Sequence, residues 1–204
     1  VVNVPSYYTV IYGNPQKRDF NQDFVSMEGN HAILAVPVDN KMYWLECTSQ
    51  KMPFGFQGDF TDNRFALVIK PEGGEIIKTQ EYQPQDNTQI SKGKYVIDEQ
   101  GNIAGSILIK SKGTQYDSKF DYEDKSSDNL TKIYKSYFNN INNLKLKKIN
   151  LQNNKEEVEF SEDITIEASE YAKPTGGRMI FAINAYNQIS GVPQRYRQRN
   201  NPFE

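Results

Sequence analysis

The sequence predicts an α+β chain built mostly of antiparallel sheet, with one helix. Three observations carry this. Short runs of β-branched and aromatic residues recur along the chain, separated by Gly, Pro, Asn and Asp. Thirteen Tyr and eleven Phe supply much of the apolar content, and such residues suit a pleated, half-buried surface. A convincing apolar stripe at helical spacing is seen once, over residues 127–141.

Tyr7–Tyr12 reads as a first strand, stopped by Gly13-Asn14-Pro15. Gln16–Gly29 is a connector with few regular signals, expected to be anchored by Phe20, Phe24 and Met27. His31–Val38 and Met42–Thr48 form a hairpin around Asp39-Asn40, because Asp and Asn tolerate left-handed backbone angles. Ser49–Asn63 is a loop punctuated by Pro53, Gly55 and Gly58 and pinned by Phe54, Phe56 and Phe60. Arg64–Ile69 and Glu75–Thr79 are strands, parted by Pro71 and Gly73-Gly74. The polar, aperiodic stretch Gln80–Asn87 marks a domain boundary, giving units 1–83 and 84–204.

The second unit opens with a hairpin, Gly93–Ile97 and Asn102–Lys110 around a turn closed by Gly101. Thr114–Tyr122 is read as further strand. In the helix at 127–141, Leu130, Ile133, Tyr134, Tyr137, Phe138 and Ile141 share one face. Ser127 or Asp128 would cap it, and Asn142-Asn143 would end it. Leu144–Leu151 and Glu157–Ala172 supply the sheet it lies on, with a bulge or bend at Asp163. Lys173–Gly177 is a turn and Arg178–Asn184 a buried strand. Arg195, Arg197 and Arg199 alternate as one face of a last strand. The whole unit is expected to be sandwich-like.

Composition excludes several functions. The 204 residues carry 24 Lys+Arg against 26 Asp+Glu, a net charge of −2, so no broad field attracts nucleic acid or an anionic membrane. No apolar run approaches the roughly 20 residues that span a bilayer. One His, one Cys and scattered carboxylates do not make zinc spacing, and no calcium loop is present. No metal or cofactor is expected. The Gly176-Gly177-Arg178 stretch lacks the spacing of a phosphate loop.

The chemistry concentrates in the first hairpin, which holds the only His, Cys and Trp. Side chains alternate faces along a strand. With a tight, even-numbered turn, Ile33 faces Glu46 and His31 sits diagonal to Glu46 on the same face. Diagonal neighbours have Cα atoms roughly 7–8 Å apart, within reach of long side chains. A His and a carboxylate so placed are the base and orienter of a nucleophilic site. Each also has a plain reading: His31 as a satisfied strand residue, Glu46 as a carboxylate held by backbone or by Arg64. Cys47 neighbours Glu46 in sequence, points to the opposite face from His31, and reads as an inert thiol. Trp44 shares the Glu46 face, as a wall of the site or as core. Asn30 could hydrogen-bond locally or touch substrate. Arg64 could clamp the loop that follows.

The segments G-N-H-A-I-L-A-V-P, W-L-E-C-T-S-Q and P-F-G-F-Q-G-D-F-T-D-N-R-F-A-L-V-I resemble the second half of a transglutaminase-like, papain-related core, as found in large bacterial multidomain proteins. The resemblance covers roughly Pro5 to Ile77. It places His31 at the family His and Glu46 at the position usually held by Asp. It implies that residues 1–83 are the sheet half of such a core. The nucleophilic Cys is then expected on a helix upstream of Val1, so that this chain alone is inactive.

The resemblance further implies cysteine-dependent acyl transfer or amide hydrolysis on a peptide or protein substrate, and an extracytoplasmic location. The other function carried forward is a non-catalytic binding or scaffold module of a cell-envelope protein. A core lacking its helix is also expected to expose apolar surface through which two copies could dimerise.

Overall fold

Residues 3–24, 26 and 28–186 are described in the computed structural model. The expected anchor Met27 and the Arg195, Arg197 and Arg199 strand lie outside the described residues. The chain is β-rich, with two main antiparallel sheets and few helices.

The first sheet has five strands: β1 (Tyr7–Ile11), β2 (His31–Val38), β3 (Lys41–Leu45), β4 (Phe65–Lys70) and β5 (Gly73–Lys78). Their spatial order is β3-β2-β1-β4-β5. The β2–β3 turn holds Asp39 at φ 50° and Asn40 at φ 63°, the two left-handed residues that a two-residue hairpin loop needs. Every ladder pair from Val38–Lys41 to Leu34–Leu45 sums to 79, the even register. One face buries Ile11, Ile33, Ala35, Trp44, Ala66 and Val68. The other buries Val10, Tyr12, Leu67 and Phe20. Phe20 thus anchors the connector as expected, but Phe24 is exposed.

The second sheet has β6 (Gln89–Ile97), β7 (Ile103–Lys112), β8 (Leu144–Asn154) and β9 (Glu159–Ala168), ordered β6-β7-β9-β8. A helix covers it, so the expected sandwich is a single sheet under a helix among the described residues. That helix runs Ser127–Tyr137, short of 141. Phe138 is its C-cap, and Phe138 and Ile141 stay buried in the turn beyond, so the apolar stripe outlasts the helix. The cap is Ser126, one residue before those expected, accepting the Asn129 N–H at 3.3 Å. Tyr134, Phe138 and Ile141 pack on Ile103, Ile107, Ile164 and Ile166.

Other expectations are corrected. Thr114–Tyr122 is not strand: Thr114–Asp117 is one helical turn and Phe120–Asp124 a 3-10 turn. Turns of four and five residues are too short to leave a period. The helices are labelled α1 (Gly58–Thr61), α2 (Thr114–Asp117) and α3 (Ser127–Tyr137). The bulge lies in β8, between Leu146 and Lys148, rather than at Asp163. β9 keeps one parity throughout, which turns Asp163 outward and buries Glu162 completely. Finally, β10 (Lys173–Thr175) and β11 (Arg178–Ile180) form a small hairpin of their own, and Ile180 is exposed.

The halves meet in an aromatic cluster. Phe56, from the loop after β3, packs edge-on against Tyr116 with ring centroids 5.3 Å apart, and Phe160 closes the group.

Candidate functional site

The site sits where β1 and β2 end together. His31 pairs with Ile11 across the ladder and lies on the face of Ile33 and Ala35. β3 carries Trp44 on that face, and Glu46 follows two residues later. His31 Nε2 lies 2.8 Å from Glu46 Oε2. The other oxygen, Oε1, accepts both the Thr48 N–H at 2.9 Å and the Thr48 hydroxyl at 2.7 Å.

Three contacts thus hold one carboxylate. Burial alone would raise the Glu46 carboxyl, but the two Thr48 donors and His31 outweigh it and hold it below its ordinary 4.5. An ionised carboxylate only accepts, so the proton of this hydrogen bond belongs to His31 Nε2. In the neutral form of the ring the lone pair then lies on Nδ1.

The surroundings fix the ring further. Phe60 of α1 meets His31 edge to face, with centroids 5.0 Å apart at 79°. Gly13 lies between them: a Cβ there would come within 2.5 Å of the Phe60 ring and 2.9 Å of His31 Cβ. Asn30 clamps the same glycine, accepting its N–H at 2.7 Å and donating to its carbonyl at 3.2 Å. The polar atoms of Asn30 are therefore engaged with the backbone. Trp44 is buried among Ile33, Ala35, Ala66 and Val68, in the core beneath the pair. Cys47 is exposed, and its thiol donates to Leu45 O at 3.5 Å. A cavity of about 240 Å³, lined by Leu45, Glu46, Met52, Pro53, Phe54 and Gly55, opens beside Glu46.

Arg64 serves differently from the expectation. It is fully buried and reaches back, not forward. Its Nε donates to Asp62 O, Nη1 to Tyr12 O and Asn14 O, and Nη2 to Asp59 O, at 2.6–3.0 Å. It ties the end of β1 to α1 from beneath. Burial lowers its pKa, offset in part by Asp62, Asp19 and Asp59.

Two features were missed from sequence. Asp117 of α2 accepts the Asp59 N–H at 3.1 Å, a contact 58 residues apart that no local pattern signals. Its carboxyl is pushed up by burial, with Asp59 and Asp62 adding and the Asp59 N–H opposing. The second is Glu162, whose Oε1 accepts the Tyr134 hydroxyl at 2.6 Å and the Lys119 ammonium at 3.3 Å under α3. Strict alternation with Phe160 and Ile164 would have found it. Among the described residues no group of three His, Cys, Asp or Glu could hold a metal ion. No helix among them is long and apolar enough to cross a membrane.

The sequence matches no protein-family model, and neither a curated protein nor a solved structure matches it.

Proposed function

We propose that residues 1–83 supply the histidine and carboxylate of a cysteine-dependent site that transfers or hydrolyses acyl groups of peptide-like amides, in the manner of a transglutaminase-like core. The observation that carries this is the His31 Nε2–Glu46 Oε2 contact of 2.8 Å, which leaves Nδ1 as the free ring nitrogen. The nucleophile comes from a segment N-terminal to Val1. Nδ1 takes the thiol proton, and Glu46 stabilises the resulting imidazolium beside the thiolate. The thiolate adds to the amide carbonyl. Nδ1–H then protonates the amine as the C–N bond breaks, leaving a thioester for water or a second amine.

The experiment uses a chain extended upstream to include its cysteine, assayed on a glutamine-containing peptide amide. His31→Ala should lower turnover about 10²–10⁴-fold. Retained turnover would overturn the reading. The 204-residue chain alone should show no thiol-dependent activity.

A second reading, a non-catalytic binding or scaffold module, draws on the burial of the pair: the side chains are 13 % and 4 % exposed. There the same hydrogen bond pins the end of the hairpin, and His31→Ala lowers stability without touching an activity.

A further inference from the structure

We propose that Asp117, from the second half of the chain, is a positioning residue for the His31 ring, acting through α1 and Phe60. Its functional weight rests on the reading of His31 and Glu46 as a working pair; the linkage itself does not.

The contacts form one continuous path. Asp117 Oδ2 accepts the Asp59 N–H at 3.1 Å. The same carboxylate fills the space over Gly58, which sits at φ 61°: a Cβ there would lie 2.4 Å from Asp117 Oδ2. So a glycine with a left-handed backbone is required under this carboxylate. From the other side, Arg64 Nη2 donates to Asp59 O at 2.9 Å. The Asp59 residue is therefore gripped at its N–H from the second half and at its carbonyl from the first. Phe60 follows directly. Its carbonyl accepts the Asn14 N–H at 3.0 Å, and its ring meets His31 at 5.0 Å.

Phe60 is 39 % exposed as a residue, so packing from above does not hold it. Its backbone must place it. α1 has four residues, and its far end is closed at Thr61, whose carbonyl accepts from Gln57 Nε2 at 3.3 Å and from the Thr79 hydroxyl at 2.8 Å. Neither bond engages the Asp59 N–H, so the first turn ahead of Phe60 is left to Asp117. Without Asp117, the Asp59 N–H loses its acceptor, the turn relaxes, and Phe60 leaves the edge of the imidazole. His31 then samples other ring orientations and Nδ1 loses its aim. The second half is on this account part of the site rather than an appendage.

The ring current of Phe60 gives a direct readout, measured on the 204-residue chain by NMR of the single histidine. Phe60→Ala defines the His31 Hδ2 and Hε1 shifts without the ring. Asp117→Ala should move both resonances most of the way to those values. Asp117→Asn should leave them at the wild-type positions, because a carboxamide oxygen still accepts the Asp59 N–H. His31 resonances that stay put in folded Asp117→Ala, while the Asp59 amide shifts, would overturn the proposal. Should that variant not fold, Asp117→Leu removes the acceptor while still filling the space over Gly58, and carries the same two outcomes.

In the upstream-extended chain, Asp117→Ala should lower kcat by about 10–100-fold with KM unchanged. If His31→Ala leaves turnover intact while Asp117→Ala moves the His31 resonances, the catalytic reading falls and this linkage stands. If His31→Ala abolishes turnover and the resonances do not move, the linkage falls alone.

Discussion

At Glu46 the two carboxylate oxygens do different work. Oε1 is occupied by Thr48 and Oε2 by His31, so the side chain cannot rotate without giving up a partner. Its folded pKa lies below the ordinary 4.5. The ionised form therefore contributes stability above the unfolded value, and that contribution is lost as pH falls through the folded value. Melting curves between neutral pH and the acid range should show Glu46→Gln less stable at neutrality, with a shallower acid limb. Parallel limbs would contradict the assignment. Arg64 makes the second residue-scale case. Truncation to Met orphans four carbonyls and should cost on the order of 3–5 kcal/mol by denaturant titration. The His31–Glu46 pair could be read from sequence because a two-residue turn fixes parity. The partners of Arg64 could not, since Tyr12 and Asn14 lie 52 and 50 residues away and no periodicity links them.

Turn chemistry and capping decide the elements. Asn40 at φ 63° must stay left-handed for the hairpin to keep its register. Asn40→Val should cost about 1–2 kcal/mol and Asn40→Gly should be tolerated, both measured by thermal melt. Ser126→Ala removes the only side-chain cap of α3 and should cost about 1 kcal/mol. The strands were readable because alternation survives in short runs. α3 was readable because its stripe is continuous, though its end was not. Phe138 and Ile141 remain buried after the helix stops, and periodicity tracks burial rather than backbone. The apolar run Met179–Ile183 misled for the opposite reason, since Ile180 and Ile183 are both exposed.

For the molecule as a whole, the junction matters most. Phe56, Tyr116 and Phe160 bring a loop of the first sheet, a turn and a strand of the second into one cluster. Phe56→Ala should cost about 3–5 kcal/mol and split a single unfolding transition into two. The buried Lys119–Glu162 pair sits deep in the second sheet's core. Lys119→Met leaves the carboxylate only the Tyr134 hydroxyl and no counter-charge and should cost about 3–5 kcal/mol, while adding Glu162→Leu together with Tyr134→Phe should restore most of it.

The chemistry proposed for the pair requires that Glu46 hold His31 by Nε2 and leave Nδ1 as the basic atom. Nitrogen-15 NMR of the single histidine, followed upward in pH until the ring is neutral, tests it directly. The neutral ring should be the Nε2–H tautomer in the wild type and lose that preference in Glu46→Ala. A neutral ring protonated on Nδ1, or the same tautomer balance in both proteins, would contradict it.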